Sequence, residues 1–182
     1  HVDAQYNLAL KYFFAEGVAQ DFTESIHWYS KAAQQGHMDA QFNLGGIYYD
    51  GIVVEQDYSE ATNWLIKAVE QGHEKAKTML ERIYQDSNGA PGDDAEMLNW
   101  YLQAARQGIA NAQYNLGVMY QKGKGVSKDN NEALKWFREA AQQGHALAQF
   151  NMGIMYKDGV GVSINDTEAI NWLLKSALQG CT

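Results

Sequence analysis

Residues 109–144 read IANAQYNLGVMYQKGKGVSKDNNEALKWFREAAQQG. This string decides the fold, because its landmarks return at one interval along the whole chain. Trp28, Trp64, Trp100, Trp136 and Trp172 are each 36 residues apart. Tyr12, Tyr48, Tyr84, Tyr120 and Tyr156 keep the same spacing, as do Ala4, Ala40, Ala76, Ala112 and Ala148. So do the glycines Gly36, Gly72, Gly108, Gly144 and Gly180. Leu8, Leu44, Leu80 and Leu116 follow, with Met152 in the last copy. A fixed period of this size marks a repeat array. The boundaries are 1–36, 37–72, 73–108, 109–144 and 145–180, and the reading treats 1–182 as a single repeat domain.

Each copy reads as two helices. Ala40, Leu44, Ile47 and Tyr48 form the i, i+4, i+7, i+8 stripe of a first amphipathic helix, ended near Gly51, Gly123 and Gly159 where a left-handed residue is needed. A second helix opens on acidic capping pairs: Asp21/Glu24, Asp57/Glu60, Asp93/Glu96, Asp129/Glu132 and Asn165/Glu168. In such pairs the cap side chain takes a free N–H and the carboxylate reaches back to the cap. The buried stripe in copy four is Ala133, Trp136, Phe137, Ala140 and Ala141, with Trp expected to fill the gap between copies. Two short helices cannot bury both apolar faces alone, so the units must stack into an all-α solenoid.

The motif Ala-x-x-x-Leu-Gly-x-x-Tyr, Gly-x-Gly-Val, Asp-x-x-x-Ala-x-x-Trp, Ala-Ala-x-x-Gly resembles the Sel1-like repeat, a short relative of the tetratricopeptide repeat. Copy four carries it in Ala112, Leu116, Gly117, Tyr120, Gly123, Gly125, Val126, Asp129, Ala133, Trp136, Ala140, Ala141 and Gly144. The resemblance implies a right-handed α/α superhelix whose first helices line the concave side. It also implies a non-enzymatic adaptor that binds a partner protein or peptide, in a bacterial setting and toward the periplasm or outside the cell. Some bacterial members pair two cysteines in each repeat. This chain does not, since Cys181 is its only cysteine and no internal disulfide can form.

The net charge of -8 argues against nucleic acid, whose binding depends on clustered Lys and Arg, and against docking on anionic lipid. No stretch approaches the roughly 20 apolar residues of a membrane span. HVDAQYNLAL has no basic start, so it does not read as a signal peptide; His1 instead occupies the position of His37, His73 and His145. No zinc-protease, Walker, nucleophile-elbow or Ser-x-x-Lys motif is present. Gly123-Lys124-Gly125 lacks the third glycine of a phosphate loop and sits where the repeat already requires glycine. Four of the five histidines, His1, His37, His73 and His145, share one repeat position, too far apart for one metal ion, and read as inter-repeat turn residues. No cofactor or metal is expected.

What remains after core and caps is the outward face of each first helix. Helical angles bring together Asp39, Asn43, Gly46 and Asp50 in copy two, Asn111, Asn115, Val118 and Lys122 in copy four, and Leu147, Asn151, Ile154 and Asp158 in copy five. Asparagine is a mediocre helix former, so Asn7, Asn43, Asn115 and Asn151 need a reason. Their amides either bond a bound peptide backbone or bond a neighbouring helix. Beside them runs an aromatic rail, Tyr6, Phe42, Tyr114 and Phe150, which either contacts a ligand or covers Gly45, Gly117 or Gly153 of an adjacent copy. Copy three departs, with Thr78, Met79, Glu81 and Arg82 on this helix and Ser87-Asn88-Gly89-Ala90-Pro91-Gly92 as its loop. Glu81 and Arg82 place charges in the groove, through drift or through partner specificity. The expected partner-binding residues are thus Asn7, Asn43, Asn115, Asn151, Phe42, Tyr114, Phe150, Asp39, Asn111 and Arg82. A second reading, an enzyme or small-molecule binder in the same groove, requires convergent titratable groups that the repeats do not already explain. Apolar surface around Trp172 and Leu173 further suggests end-to-end self-association of the chain.

Overall fold

The computed structural model describes residues 1–86 and 90–180. Ser87, Asn88 and Gly89 of the irregular loop, and Cys181, lie outside the described residues. Among the described residues are ten helices and no strand. The first helices are α1 (Val2–Phe14), α3 (Met38–Asp50), α5 (Glu74–Asp86), α7 (Ala110–Lys122) and α9 (Ala146–Asp158). The second helices are α2 (Phe22–Gln34), α4 (Tyr58–Glu70), α6 (Asp94–Arg106), α8 (Asn130–Gln142) and α10 (Asp166–Ala177). The chain divides into two compact units, His1–Ile83 and Tyr84–Thr182, the division falling inside α5. In the first unit α1 packs on α2, α2 on α3 and α3 on α4; in the second, α6 to α10 pack in the same sequential order. This is the α/α solenoid order expected from the period.

The caps explain much of the periodic sequence. Asp57 Oδ1 accepts from the N–H groups of Ser59 (2.9 Å) and Glu60 (3.0 Å), and Asp129 does the same for Asn131 and Glu132. The carboxylate three residues on does not reach back, which corrects the expected reciprocal box. The cap's own N–H is already taken, because Asp57 N–H donates to the Tyr48 carbonyl (3.0 Å) and Asp129 N–H to the Tyr120 carbonyl (2.9 Å). The freed carboxylates of Glu24 and Glu60 accept from the indole N–H of Trp28 (3.0 Å) and Trp64 (3.1 Å). The helices α2, α4, α6 and α8 then end in Schellman turns: His145 N–H bonds the Ala140 carbonyl and Gly144 N–H the Ala141 carbonyl, with Gly144 at φ 91°.

The core corrects the role given to tryptophan. Trp64 and Trp100 are buried, but Trp28, Trp136 and Trp172 are only half-buried. Lysine ammonium groups lie over three of the rings, Lys31 on Trp28, Lys67 on Trp64 and Lys175 on Trp172. The centre is instead the residue after the tryptophan in the first four copies, Tyr29, Leu65, Tyr101 and Phe137 being 4% exposed or less; Leu173 of the last copy is half-buried. A Cβ on Gly117 would lie 2.7 Å from the Phe137 ring, and one on Gly45 2.7 Å from Leu65. The small glycine therefore belongs to the same copy as the side chain that covers it, and the rail rings do not cover it.

Deleting the central ring should cost more than deleting the tryptophan. Phe137→Ala is expected to lose about 3–5 kcal/mol, the usual range for a fully buried aromatic. Trp136→Ala, whose ring already meets solvent, should lose clearly less. Urea unfolding of both variants measures this, and a larger loss for Trp136→Ala would contradict the assignment of the core.

Candidate partner-binding face

On α3 the amide of Asn43 donates to the hydroxyls of Tyr29 (3.4 Å) and Tyr6 (3.5 Å), both in the preceding copy. Burial pushes the Tyr29 hydroxyl up to about 12, with Tyr6 adding to the shift and Asn43 opposing it, so the group stays protonated. Asn115 donates to the Tyr84 carbonyl at 3.1 Å. Asn151 hydrogen-bonds Tyr114, whose hydroxyl is raised chiefly by burial. Of the two roles open to these asparagines, three therefore bond a neighbouring helix. Asn7 is exposed.

The aromatic rail stacks on the histidine of the next copy. Ring centroids are 4.3 Å apart for Tyr6/His37 and Phe42/His73, and 4.6 Å for Tyr114/His145. Each of these histidines caps a first helix, its Nδ1 accepting from the N–H of Ala40, Ala76 or Ala148. With Nδ1 accepting, the neutral ring carries its proton on Nε2. That nitrogen faces Asp39 Oδ1 from His73 (3.6 Å) and Asn111 Oδ1 from His145 (3.0 Å). The reading of these histidines as inter-repeat turn residues thus gains a mechanism: helix cap, stacking partner and donor at once.

Sequence reasoning missed a glutamine clamp. Gln41, Gln113 and Gln149 are about 4–5% exposed. Gln113 donates to the Ala105 carbonyl of the preceding copy (3.1 Å) and accepts from Gln143 of its own (2.7 Å). Gln41 with Ala33 and Gln71, and Gln149 with Ala141 and Gln179, repeat this geometry. The signal was available, since both glutamine sets recur at the repeat interval.

Cavities open on the first-helix face of each unit. In the first, one of about 440 Å³ is lined by Phe42, Asn43, Gly46 and Asp50 together with Phe13 and Phe14. In the second, one of about 280 Å³ is lined by Asn111, Tyr114, Asn115 and Leu147. Phe150 is 45% exposed; Asp39 and Arg82 are also exposed. A cavity of about 460 Å³ lies among second-helix residues around Trp136, whose indole N–H is buried without a partner because Glu132 pairs with Lys135. Among the described residues no three His, Cys, Asp or Glu side chains gather as metal ligands, and no helix is long and apolar enough to cross a membrane.

Sequentially packed helix pairs of one period define an α-helical repeat protein. The Sel1 repeat model matches residues 2–37, 39–73, 82–109, 110–145 and 146–181, and the chain belongs to that family, whose members are generally protein-interaction scaffolds and typically not enzymes. Among solved structures the chain is similar to a protective antigen of uropathogenic Escherichia coli strains displaying an SLR fold, at 36% identity and a TM-score of 0.64. The match covers 99% of this chain and only 38% of the antigen's. A Sel1 repeat protein from Oxalobacter formigenes is 33% identical over 99% of this chain and 72% of its own, with a TM-score of 0.57. Cysteine rich protein B of Helicobacter pylori shares the fold at 22% identity and a TM-score of 0.52, over 71% of this chain and 93% of its own. No curated protein matches the chain.

The histidine caps predict a pH dependence. Burial lowers the pKa of His145 from 6.5. Its contribution is therefore complete above the unfolded value near 6.5 and is lost as pH falls through the lower folded value. His145→Asn keeps a capping side chain that does not titrate. Its unfolding free energy should fall less steeply as pH drops below about 6.5 than that of the unaltered chain. Parallel slopes would contradict the cap.

Proposed function

We propose that this chain is a non-enzymatic adaptor that seats a segment of a partner protein along the outward faces of its first helices, the concave side of the solenoid, with residues 1–182 acting as one repeat domain. The observation that carries the reading is the coincidence of two independent lines. The residues left over after core and caps are assigned from sequence also line a cavity in each unit. Because Asn43, Asn115 and Asn151 already bond the preceding copy, their part is to hold the rings, and the contact falls to Phe42, Tyr114, Phe150 and Leu147 with Asp39, Asn111 and Arg82 as polar neighbours. Aromatic side chains on a rigid helical face are usual anchors of protein interfaces, and here Phe150 is exposed while Phe42 and Tyr114 are half-buried.

Gly46 offers a direct test, because a Cβ there meets nothing within 4 Å. Gly46→Trp fills the cavity, and replacing a mid-helix glycine does not weaken the helix. Peptides selected on the unaltered chain from a random display library should bind this variant at least about tenfold more weakly at unchanged helicity, since losing such a contact costs 1.4 kcal/mol or more. Glu139→Trp, in the cavity beside Trp136, serves as control. Loss of binding in the control with full binding by Gly46→Trp would overturn the assignment.

A further inference from the structure

We infer that the partner segment seated on the first two repeats is basic and apolar, a chain carrying bulky aliphatic or aromatic anchors flanked by Lys or Arg. This rests on the first-helix reading and names the chemistry of its ligand. The apolar half of the argument is a second cavity, of about 300 Å³, that shares Phe13, Phe14, Ile47 and Asp50 with the first. It continues the groove over the edge formed by the loops after α1 and α3. Phe14 is 60% exposed and Ile52 83%, both far above what a scaffold residue needs. Exposed apolar surface joined to a cavity marks a binding site.

The charged half is specific to this end of the chain. Residues 12–66 hold one base, Lys31, against eight acids. Five of the acids are accounted for. Asp21 and Asp57 cap helices, Glu24 and Glu60 hold indole N–H groups, and Asp39 faces His73. Glu16, Asp50 and Glu55 are exposed, and their carboxylates meet neither a cation nor a donor among the described residues. Asp50 lines both cavities. Glu16 follows Phe14 by two residues, and Glu55 follows Val53 by two. The Asp50 position holds Asp86 and Asp158 in copies three and five and Lys122 in copy four, whereas the positions of Glu16 and Glu55 are acidic at this end alone, with Lys124 at the Glu16 position of copy four. An unpaired carboxylate lining an apolar groove, with two more in the loops at its edge, selects a cation that arrives with an apolar anchor and repels acidic or plain polar segments.

The test uses three labelled 12-residue peptides with the same Leu and Phe positions and Lys, Ser or Glu elsewhere, titrated by fluorescence anisotropy. The Lys peptide is expected to bind at least about tenfold more tightly than the other two and to weaken as salt rises. The triple variant Glu16→Gln, Asp50→Asn, Glu55→Gln should lose that preference. Glu139→Gln, Asp166→Asn, Glu168→Gln removes the same charge from second helices and should keep it. Equal loss in both variants would overturn the inference by reducing it to attraction by net charge. So would self-association of the chain that disappears in the first variant while the Lys peptide fails to bind, which would give the groove to a second copy. If all three peptides bind alike and Gly46→Trp blocks all three, the partner chemistry is wrong and the first-helix site stands. If the Lys peptide binds Gly46→Trp undiminished, the site itself is wrong.

Discussion

The architecture depends on one close approach, repeated in copies two, four and five. A glycine on the first helix lies directly under a large side chain on the second: Gly45 under Leu65, Gly117 under Phe137, Gly153 under Leu173. A methyl group at any of the three would stand 2.6–2.7 Å from the covering atoms. Interiors this dense do not absorb an added carbon without displacement. The two helices of a copy are therefore held nearer than ordinary side chains allow. The same copies close a second bond between the helices, the cap residue's N–H reaching the tyrosine carbonyl at the end of the first helix, as Asp129 does with Tyr120 at 2.9 Å; copy one, with Ala9 in the glycine's place, makes it too, between Asp21 and Tyr12 at 3.1 Å.

Successive copies are then joined by polar groups that apolar packing alone would leave free to slide. Gln113 spans two copies with both ends of its amide, and the histidine caps stack on the ring of the copy before. Buried polar crossings of this kind stabilise modestly when satisfied and cost about 1–3 kcal/mol when one partner is removed. They therefore fix register between copies. The face they leave is the outer side of the first helices, where no packing duty explains Phe14, Phe150 or Leu147, exposed by 60%, 45% and 48%.

The fold was legible in the sequence because the period is uninterrupted: one interval located every helix pair and every glycine stop. Individual roles were harder to read. Trp136 and Phe137 sit side by side, and size alone favoured the tryptophan, yet only the helix rotation decides which of two adjacent rings faces the centre. The amides of Asn43 and Asn115 were open to a ligand or to a neighbouring helix, and a donor that reaches Tyr29 or the Tyr84 carbonyl is a fact of distance between copies, invisible to a one-dimensional pattern. The glutamine clamp was overlooked for a plainer reason, since polar residues at helix ends are usually solvated. Of the candidate face, the helix positions that line the two first-helix cavities were legible. The second cavity of the first two copies was not, because Ile52, which lines it, and the nearby Glu16 and Glu55 break the repeat consensus.

The most direct measurement is the stability of Gly117→Ala. Helix propensity alone favours this change by roughly 1 kcal/mol, glycine being the poorer helix former by that amount. The close-approach account predicts the opposite sign, a loss of about 1–3 kcal/mol as the Phe137 ring is forced from its place, with the loss relieved when Phe137 is also truncated to alanine. Urea unfolding that shows Gly117→Ala to be more stable than the unaltered chain would contradict the constraint on which every other contact in the copy has been built.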